Sequence, residues 1–234
     1  MRVLSLFSGI GLLDLGLSWA GMQTVGLCEI EPYCREVLAK HWPGVPIWSD
    51  VREVTEDAVR ERCGAVDLVA GGVPCQPFSS ASRGRKRGVS DDRWLWPEML
   101  RIAHEVRASW VLLENVAHLE GVALKQVASD LESGGWEVGC LEIPACAVGL
   151  DHWRPRYWVL GHSNGYGKPG VPVDAEAPVM PWSDRQPGSV ARADGGAAGL
   201  AGRGAKLRAI GNAVAPAIVA EVGRAILAAE ASLR

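Results

Sequence analysis

Near its start the chain reads Val3-Leu4-Ser5-Leu6-Phe7-Ser8-Gly9-Ile10-Gly11, and this stretch decides the fold. The apolar run at residues 3–7 has the length of a buried strand. The glycines that follow allow the backbone to turn tightly and to approach a ligand at the start of a helix. The stretch therefore predicts a strand, a ligand-binding turn and a helix in succession.

The same alternation continues along the chain. Apolar runs at residues 24–27, 66–70, 110–113 and 157–160 alternate with helix-length segments at residues 32–40 and 93–106. We therefore expect an α/β fold with a mixed, mostly parallel sheet flanked by helices. Residues 163–206 are rich in Gly, Pro, Ala and Asp and predict a loop-rich segment. Pro216 then suits the first turn of a helix that includes residues 218–227.

Composition limits the class of protein. A chain of 234 residues suits one substantial core with a small appendage. No stretch reaches the roughly 20 consecutive apolar residues of a membrane span, and no export segment is visible, so we expect a cytoplasmic protein without a membrane partner. The six cysteines are scattered without a C-x-x-C pair, which favours free thiols and no metal site. We also expect a monomer.

The net charge of −3 is not that of a protein coated with nucleic acid, so any such surface must come from local clusters. One cluster consists of Arg83, Arg85, Lys86 and Arg87. Another lies at residues 185–208, where five basic residues accompany a single acid. The loop at residues 79–92 combines glycines with the first cluster, which is typical of a mobile loop that contacts phosphates.

Glu29 follows the second predicted strand, where a carboxylate can accept hydrogen bonds from ribose hydroxyls. With the glycine turn it indicates an adenosine-containing cofactor. Asp14 stands where a dinucleotide motif has its third glycine, and no P-loop lysine is present, so a phosphate ligand is less expected. The alternative is a simple tight turn with Glu29 as a surface carboxylate.

Cys75 lies in Gly71-Gly72-Val73-Pro74-Cys75-Gln76-Pro77-Phe78-Ser79, directly after a predicted strand. The carboxyl ends of strands in an open α/β sheet form the edge where ligands bind. A lone cysteine is more often buried and inert than catalytic. Here the flanking prolines and glycines argue against simple core packing.

Seven short motifs occur in the order found in DNA cytosine-5 methyltransferases, and the chain resembles that family along nearly its whole length. Residues 7–11 resemble the cofactor loop, Glu29 the ribose-binding acid, and Asp50 with Val51 the adenine-contacting pair. The other four motifs resemble the catalytic loop, the catalytic acid motif, the arginine motif and the closing motif, at Pro74-Cys75-Gln76, Glu114-Asn115-Val116, Arg154-Pro155-Arg156 and Gly211-Asn212-Ala213-Val214-Ala215-Pro216.

The resemblance implies a Rossmann-like enzyme that moves a methyl group from S-adenosylmethionine to carbon 5 of cytosine in double-stranded DNA. In the family a thiolate adds to carbon 6 of a flipped base, which implies Cys75 as nucleophile, Glu114 as the acid at ring nitrogen 3, and Arg156 and Arg154 as supporting cations. Expected cofactor contacts are Phe7, Ser8, Gly9, Ile10, Gly11, Glu29, Ile30, Asp50, Val51, Pro74, Asn212 and Val214. Expected DNA contacts are Gln76, Ser79, Arg83, Arg85, Lys86 and Arg87.

The chain also departs from the family pattern. His152 stands where the arginine motif usually has glutamine, and the motif expected before Gly211 is barely recognisable in Lys206-Leu207-Arg208. We expect a catalytic and cofactor-binding domain at residues 1–162 and 207–234, with a short target-recognition segment at residues 163–206. That compact segment is typical of a phage or prophage enzyme more than of a restriction partner.

Two other functions stay open from the sequence. An enzyme acting on cytosine in tRNA would use the same chemistry on a different nucleic acid. A catalytically idle DNA-binding relative would keep the fold alone, although the presence of Cys75, Glu114 and Arg156 argues against it.

Overall fold

A computed structural model describes residues 1–74, 94–116, 122–163 and 214–233, and within them seven strands form one sheet. The strands are β1 (Arg2–Leu6), β2 (Gln23–Cys28), β3 (Ile47–Trp48), β4 (Leu68–Gly71), β5 (Trp110–Val116), β6 (Trp136–Ile143) and β7 (Arg156–Ser163). Their order across the sheet is β3-β2-β1-β4-β5-β7-β6. All neighbours are parallel except β7, which runs antiparallel to β5 and β6. The predicted mixed, mostly parallel sheet is confirmed.

Helices connect the strands. They are α1 (Leu12–Trp19), α2 (Pro32–His41), α3 (Glu56–Arg62), α4 (Trp96–Glu105), α5 (Val122–Ser133) and α6 (Pro216–Ser232). Pro216 occupies the first turn of α6 as predicted, where its missing N–H costs nothing because no intrahelical acceptor is available there. Among the helices of the described ranges, none is long and apolar enough to cross a membrane.

Each face of the sheet is covered by its own apolar cluster. On one face, Val59 of α3, Met99 of α4 and Val127 of α5 pack with strand residues such as Leu6. On the other, α1 and α6 pack over β1, β4 and β5 through side chains such as Leu17. Coverage on both faces explains why the central strands are continuous apolar runs instead of alternating ones.

The close approach of α1 and α6 depends on Gly16. A Cβ atom at Gly16 would lie 2.4 Å from the Cβ of Val219 and 2.5 Å from the carbonyl oxygen of Pro216. Helix α6, near the end of the chain, therefore packs closely against α1, the first helix of the chain. The predicted recognition segment at residues 163–206 lies outside the described residues except for Ser163, the last residue of β7.

Two strands, β3 and β6, and two helices, α3 and α5, were not predicted from the sequence. Strand β3 has only two residues, and α3 has seven. Strand β6 lies at the edge of the sheet, and four consecutive residues at its centre, 139–142, are exposed. Its sequence also lacks the continuous apolar run of the central strands, and Leu141 directly after Cys140 interrupts the alternation that marks a half-buried strand.

Candidate active site

The candidate active site lies at the carboxyl edge of the parallel strands. The chain leaves β1 toward β2 on one side and reaches β4 on the other side of β1, so the order of connection reverses between β1 and β4. Ligands bind in open α/β sheets at such a switch point. The residues that follow β1, β2, β4 and β5 therefore share one edge of the molecule.

The loop after β1 has a strained, specific backbone. Phe7 has a φ of 55°, Gly9 of 56° and Gly11 of 82°. Gly11 also has no room for a side chain, because a Cβ there would lie 2.4 Å from the ring of Trp42. Nothing lies within 4 Å of the corresponding position at Gly9, so this part of the loop borders open space. Phe7 is not a glycine, and its side chain packs against the first apolar cluster.

A buried polar network supports this loop. Ser5 donates a hydrogen bond of 3.0 Å to Asp14, and Thr24 donates another of 3.0 Å to the second carboxylate oxygen. The hydroxyls of Ser5 and Ser8 are 3.0 Å apart, and the backbone N–H of Ser8 donates to Cys28 across the strands. Burial raises the pKa of Asp14 to about 7, although the two donated hydrogen bonds oppose the shift.

Glu29 is connected to the same loop. Its carboxylate accepts 2.7 Å and 2.8 Å hydrogen bonds from the backbone N–H groups of Gly9 and Glu31. A carboxylate has about four acceptor positions, so both oxygens can still accept from a ligand hydroxyl. The neighbouring Ile30 side chain is 67% exposed. Asp50 caps the turn at Val51–Glu53 by accepting from the N–H of Arg52.

Glu114 and Arg156 form an ion pair at the end of β5. In the antiparallel register Glu114 lies opposite Trp158, so Arg156 is its diagonal neighbour on the same face of the sheet. The Nε of Arg156 lies 3.1 Å from a carboxylate oxygen of Glu114. Glu114 is only 7% exposed, so solvent screens this pair weakly.

Burial raises the pKa of Glu114 to about 7, while the charges of Arg156 and Arg154 oppose that shift. Burial and the positive charge of Arg156 lower the pKa of the Arg154 guanidinium, and Glu114 opposes this change. A carboxyl group that is substantially protonated at neutral pH can donate a proton or a hydrogen bond. The pair therefore forms a candidate acid beside two cations.

The same strand end is joined to the residues that precede Cys75. Asn115 donates a 3.1 Å hydrogen bond from its side-chain amide to the carbonyl oxygen of Val73. A Cβ at Gly72 would lie 3.1 Å from a carboxylate oxygen of Glu114. Pro74, which follows Val73, is partly buried. The turn after β4 and the acid on β5 are thus in direct contact.

Several predicted site residues lie outside the described residues. These are Cys75, Gln76, Ser79, Arg83, Arg85, Lys86, Arg87 and Asn212. Val214 is described, and it packs against the apolar cluster beneath α6. The structure brings together Glu29 with the glycine loop, and Glu114 with Arg154 and Arg156. The roles of Ser5 and Thr24 were not predicted, because their only signal in the sequence is a polar side chain within an apolar run.

These features define a Rossmann-like α/β protein with a buried acid–guanidinium pair at its ligand-binding edge. Residues 1–186 match the model of the C-5 cytosine-specific DNA methylase family, and the chain belongs to that family.

Named relatives agree with this assignment. The type II methyltransferase M2.BsuMI of Bacillus subtilis is 36% identical over 169 residues, which are 68% of this chain and 41% of the relative. The type II methyltransferase M.AquIA of Picosynechococcus is 31% identical over 182 residues, which are 70% of this chain and 73% of the relative. Apart from M.AquIA, the chain spans about half the length of the type II methyltransferases that it matches.

Solved structures share the fold. A DNA modification methyltransferase encoded within an Escherichia coli prophage superposes with a TM-score of 0.59 at 23% identity, covering 73% of this chain and 49% of that one. A DNMT2 from Spodoptera frugiperda also has a TM-score of 0.59, at 20% identity, covering 72% of this chain and 52% of that one. At these identities the likeness concerns the fold.

Proposed function

We propose that this protein transfers a methyl group from S-adenosylmethionine to carbon 5 of cytosine in double-stranded DNA, through a covalent adduct with Cys75. The observation that carries the proposal is the buried Glu114, whose pKa is about 7 and whose carboxyl group contacts Arg156. Family membership supports the methyl transfer and the DNA substrate.

The chemistry requires an acid of this kind. Carbon 5 of cytosine is a weak nucleophile until a thiolate adds to carbon 6, and that addition places negative charge on the ring. Protonated Glu114 relieves the charge by donating to ring nitrogen 3. Arg156 holds the carboxyl group in place through its 3.1 Å contact, and Arg154 adds positive charge nearby. The sulfur of Cys75 leaves again once a base has removed the carbon 5 proton.

The cytosine must leave the helix to reach this site. A base stacked in duplex DNA cannot present carbon 6 to a thiol, so the target base is flipped into the pocket. We propose that the basic residues Arg83, Arg85, Lys86 and Arg87 contact the DNA backbone together with Gln76 and Ser79. We also propose that residues 163–206 recognise the target sequence and that the remainder of the chain binds the cofactor and catalyses transfer.

The residues present fit the proposed cofactor. The free acceptor positions of Glu29 suit two ribose hydroxyls, and the exposed Ile30 next to it offers an apolar surface to an adenine ring. S-adenosylmethionine carries no phosphate, which agrees with Asp14 in place of a glycine. When bound, the cofactor would supply an electrophilic methyl group.

Incubation with radiolabelled S-adenosylmethionine and either duplex DNA or tRNA tests the proposal. We expect label in DNA with the wild type and none with Cys75→Ser. Cys140→Ser is the matched control, because Cys140 is a free, exposed cysteine on edge strand β6. Duplex DNA containing 5-fluorocytosine should trap a covalent adduct with the wild type and with Cys140→Ser only.

Other outcomes contradict the proposal. Label that enters tRNA and not DNA would support the tRNA enzyme instead. DNA binding without transfer to either nucleic acid would support an idle DNA-binding relative. Undiminished transfer by Cys75→Ser would exclude the covalent mechanism while leaving the methylation intact.

A further inference from the structure

We propose that Trp153 stacks on a base next to the flipped cytosine and so contributes directly to binding of the DNA. The inference rests on the proposed function and adds a substrate-contacting residue to it. The tryptophan lies in the loop at residues 149–155, between the turn at Ala145–Val148 and the start of β7.

The exposure of Trp153 is unusual for its residue type. Its side chain is 59% exposed, although an indole is among the largest apolar groups in a protein and is normally well buried. Leaving that surface in water forgoes the stabilisation that burial would provide. Trp19 is 56% exposed as well, so exposure alone does not mark a ligand site, and the inference depends on the position of Trp153 beside Arg154.

The loop is held firmly on both sides of Trp153. On the amino-terminal side, Val148 and Leu150 pack against the apolar cluster beneath α6, and the N–H of His152 donates to the carbonyl oxygen of Leu150. On the carboxyl-terminal side, Arg156 is fixed by Glu114. An indole presented by an anchored loop loses little conformational entropy when it binds.

Trp153 precedes the start of β7, which lies at the carboxyl edge of the parallel strands where the candidate active site is. Arg154 follows directly, and its charge acts on Glu114. Arg156 lies three residues after Trp153 and contacts the same carboxyl group. A base accommodated beside Glu114 therefore leaves its former neighbours close to this loop.

The chemistry around the ring fits a nucleic acid. Asp151 is the acidic residue of the loop, and Arg154 and Arg156 oppose it with two positive charges. When Glu114 is protonated, these groups leave one net positive charge on residues close to Trp153 in the sequence. Flipping of one base exposes the faces of its neighbours, and aromatic side chains stack on such faces without regard to base identity.

Trp19 provides a matched control. It is 56% exposed and ends α1, close to the start of β1, since the N–H of Gln23 donates to the carbonyl oxygen of Met1. It therefore lies at the edge of the sheet opposite to the candidate active site.

The test measures binding of a labelled duplex at one fixed salt concentration and methyl transfer over DNA concentrations up to saturation. We expect Trp153→Ala to weaken binding about fivefold to a hundredfold, the range for loss of one base–aromatic stack, with kcat changed far less than KM. Trp153→Phe should restore most of the affinity, and Trp19→Ala should bind as the wild type does. Thermal unfolding of each variant checks that the fold is intact.

A duplex with an abasic site at the target position locates the contact. If the indole stacks on neighbouring bases, Trp153→Ala should weaken binding to this duplex as well. Equal affinity of Trp153→Ala and wild type on both duplexes overturns the inference, as does a loss confined to the duplex with an intact cytosine or to tRNA. Wild-type protein that neither binds nor methylates DNA overturns the proposed function and this inference together, whereas a methylating wild type with unchanged duplex affinity and KM in Trp153→Ala overturns the inference alone.

Discussion

Asn115 on β5 donates a hydrogen bond from its side-chain amide to the carbonyl oxygen of Val73, at a distance of 3.1 Å. Asn115 and Val73 are both buried, at 3% exposure. The bond joins the strand that carries Glu114 to the turn that leads into Cys75. The bond therefore ties the strand of the proposed acid to Val73, which stands two residues before the proposed nucleophile in the sequence.

We expect Asn115→Ala to reduce methyl transfer to DNA and to lower the free energy of unfolding by about 1–3 kcal/mol, because a buried acceptor loses a donor. Asn115→Asp keeps the shape of the side chain but lacks the N–H donor, so its methyl transfer should also be slow. Gln126→Ala is the control, since Gln126 makes an exposed amide hydrogen bond within α5. Wild-type transfer rates in Asn115→Asp would show that this bond does not position the catalytic loop.

The pH dependence of transfer tests the role of Glu114. Its pKa is raised to about 7, so the protonated form that donates to the base is lost as the pH rises above 7. We expect single-turnover rates to fall on the alkaline side with a midpoint near that pKa. Glu114→Gln should lower the rate about a hundredfold or more, because an amide cannot transfer the proton.

Arg154 should determine the pH at which the transfer rate falls on the alkaline side of the pH profile, called here the alkaline limb. Its positive charge favours the ionised form of Glu114, so removal of the charge in Arg154→Gln should raise the pKa of Glu114 further. The midpoint of the alkaline limb should then move to higher pH, whatever happens to the maximal rate. A limb at an unchanged pH would mean that a different group titrates.

Asp14 should make stability depend on pH. Its pKa is about 7 in the folded state against 3.8 ordinarily, so the folded protein holds this proton after the unfolded chain has released it. The stabilisation of the fold by this bound proton is complete below about pH 4 and is lost as the pH rises toward 7. Relative to Asp14→Asn, the wild type should therefore gain in Tm as the pH is lowered from about 8 to about 5. Parallel Tm curves for the two proteins would contradict this.

The contact between α1 and α6 predicts a further substitution effect. Gly16→Ala places a methyl group 2.4 Å from the Cβ of Val219 and should cost about 1–3 kcal/mol of unfolding free energy through overpacking. Gly139→Ala is the matched control, because nothing lies within 4 Å of a Cβ at Gly139. Chemical denaturation measures both, and equal stability of the two variants would show that the helices separate without cost.

Sequence patterns predicted the central strands because burial on both faces makes them continuous apolar runs. They did not predict β6, whose edge position leaves most of its side chains in solvent. Motifs predicted that Glu114 and Arg156 act together, yet the pairing itself depends on the antiparallel register of β7, which is a long-range property. The network at Asp14 on α1 was missed for the same reason, since Ser5 and Thr24 donate to it from two different strands.

Phe7 belongs both to the turn after β1 and to the packing of the core. Its φ of 55° costs about 1–2 kcal/mol for a residue with a side chain, and a glycine would adopt it freely. Its ring packs against the apolar cluster, so the turn over the proposed cofactor and the core of the sheet share one residue. A substitution at Phe7 should therefore change the stability of the core together with the shape of the turn, and Gly9, although it borders open space, is restricted too by its φ of 56°.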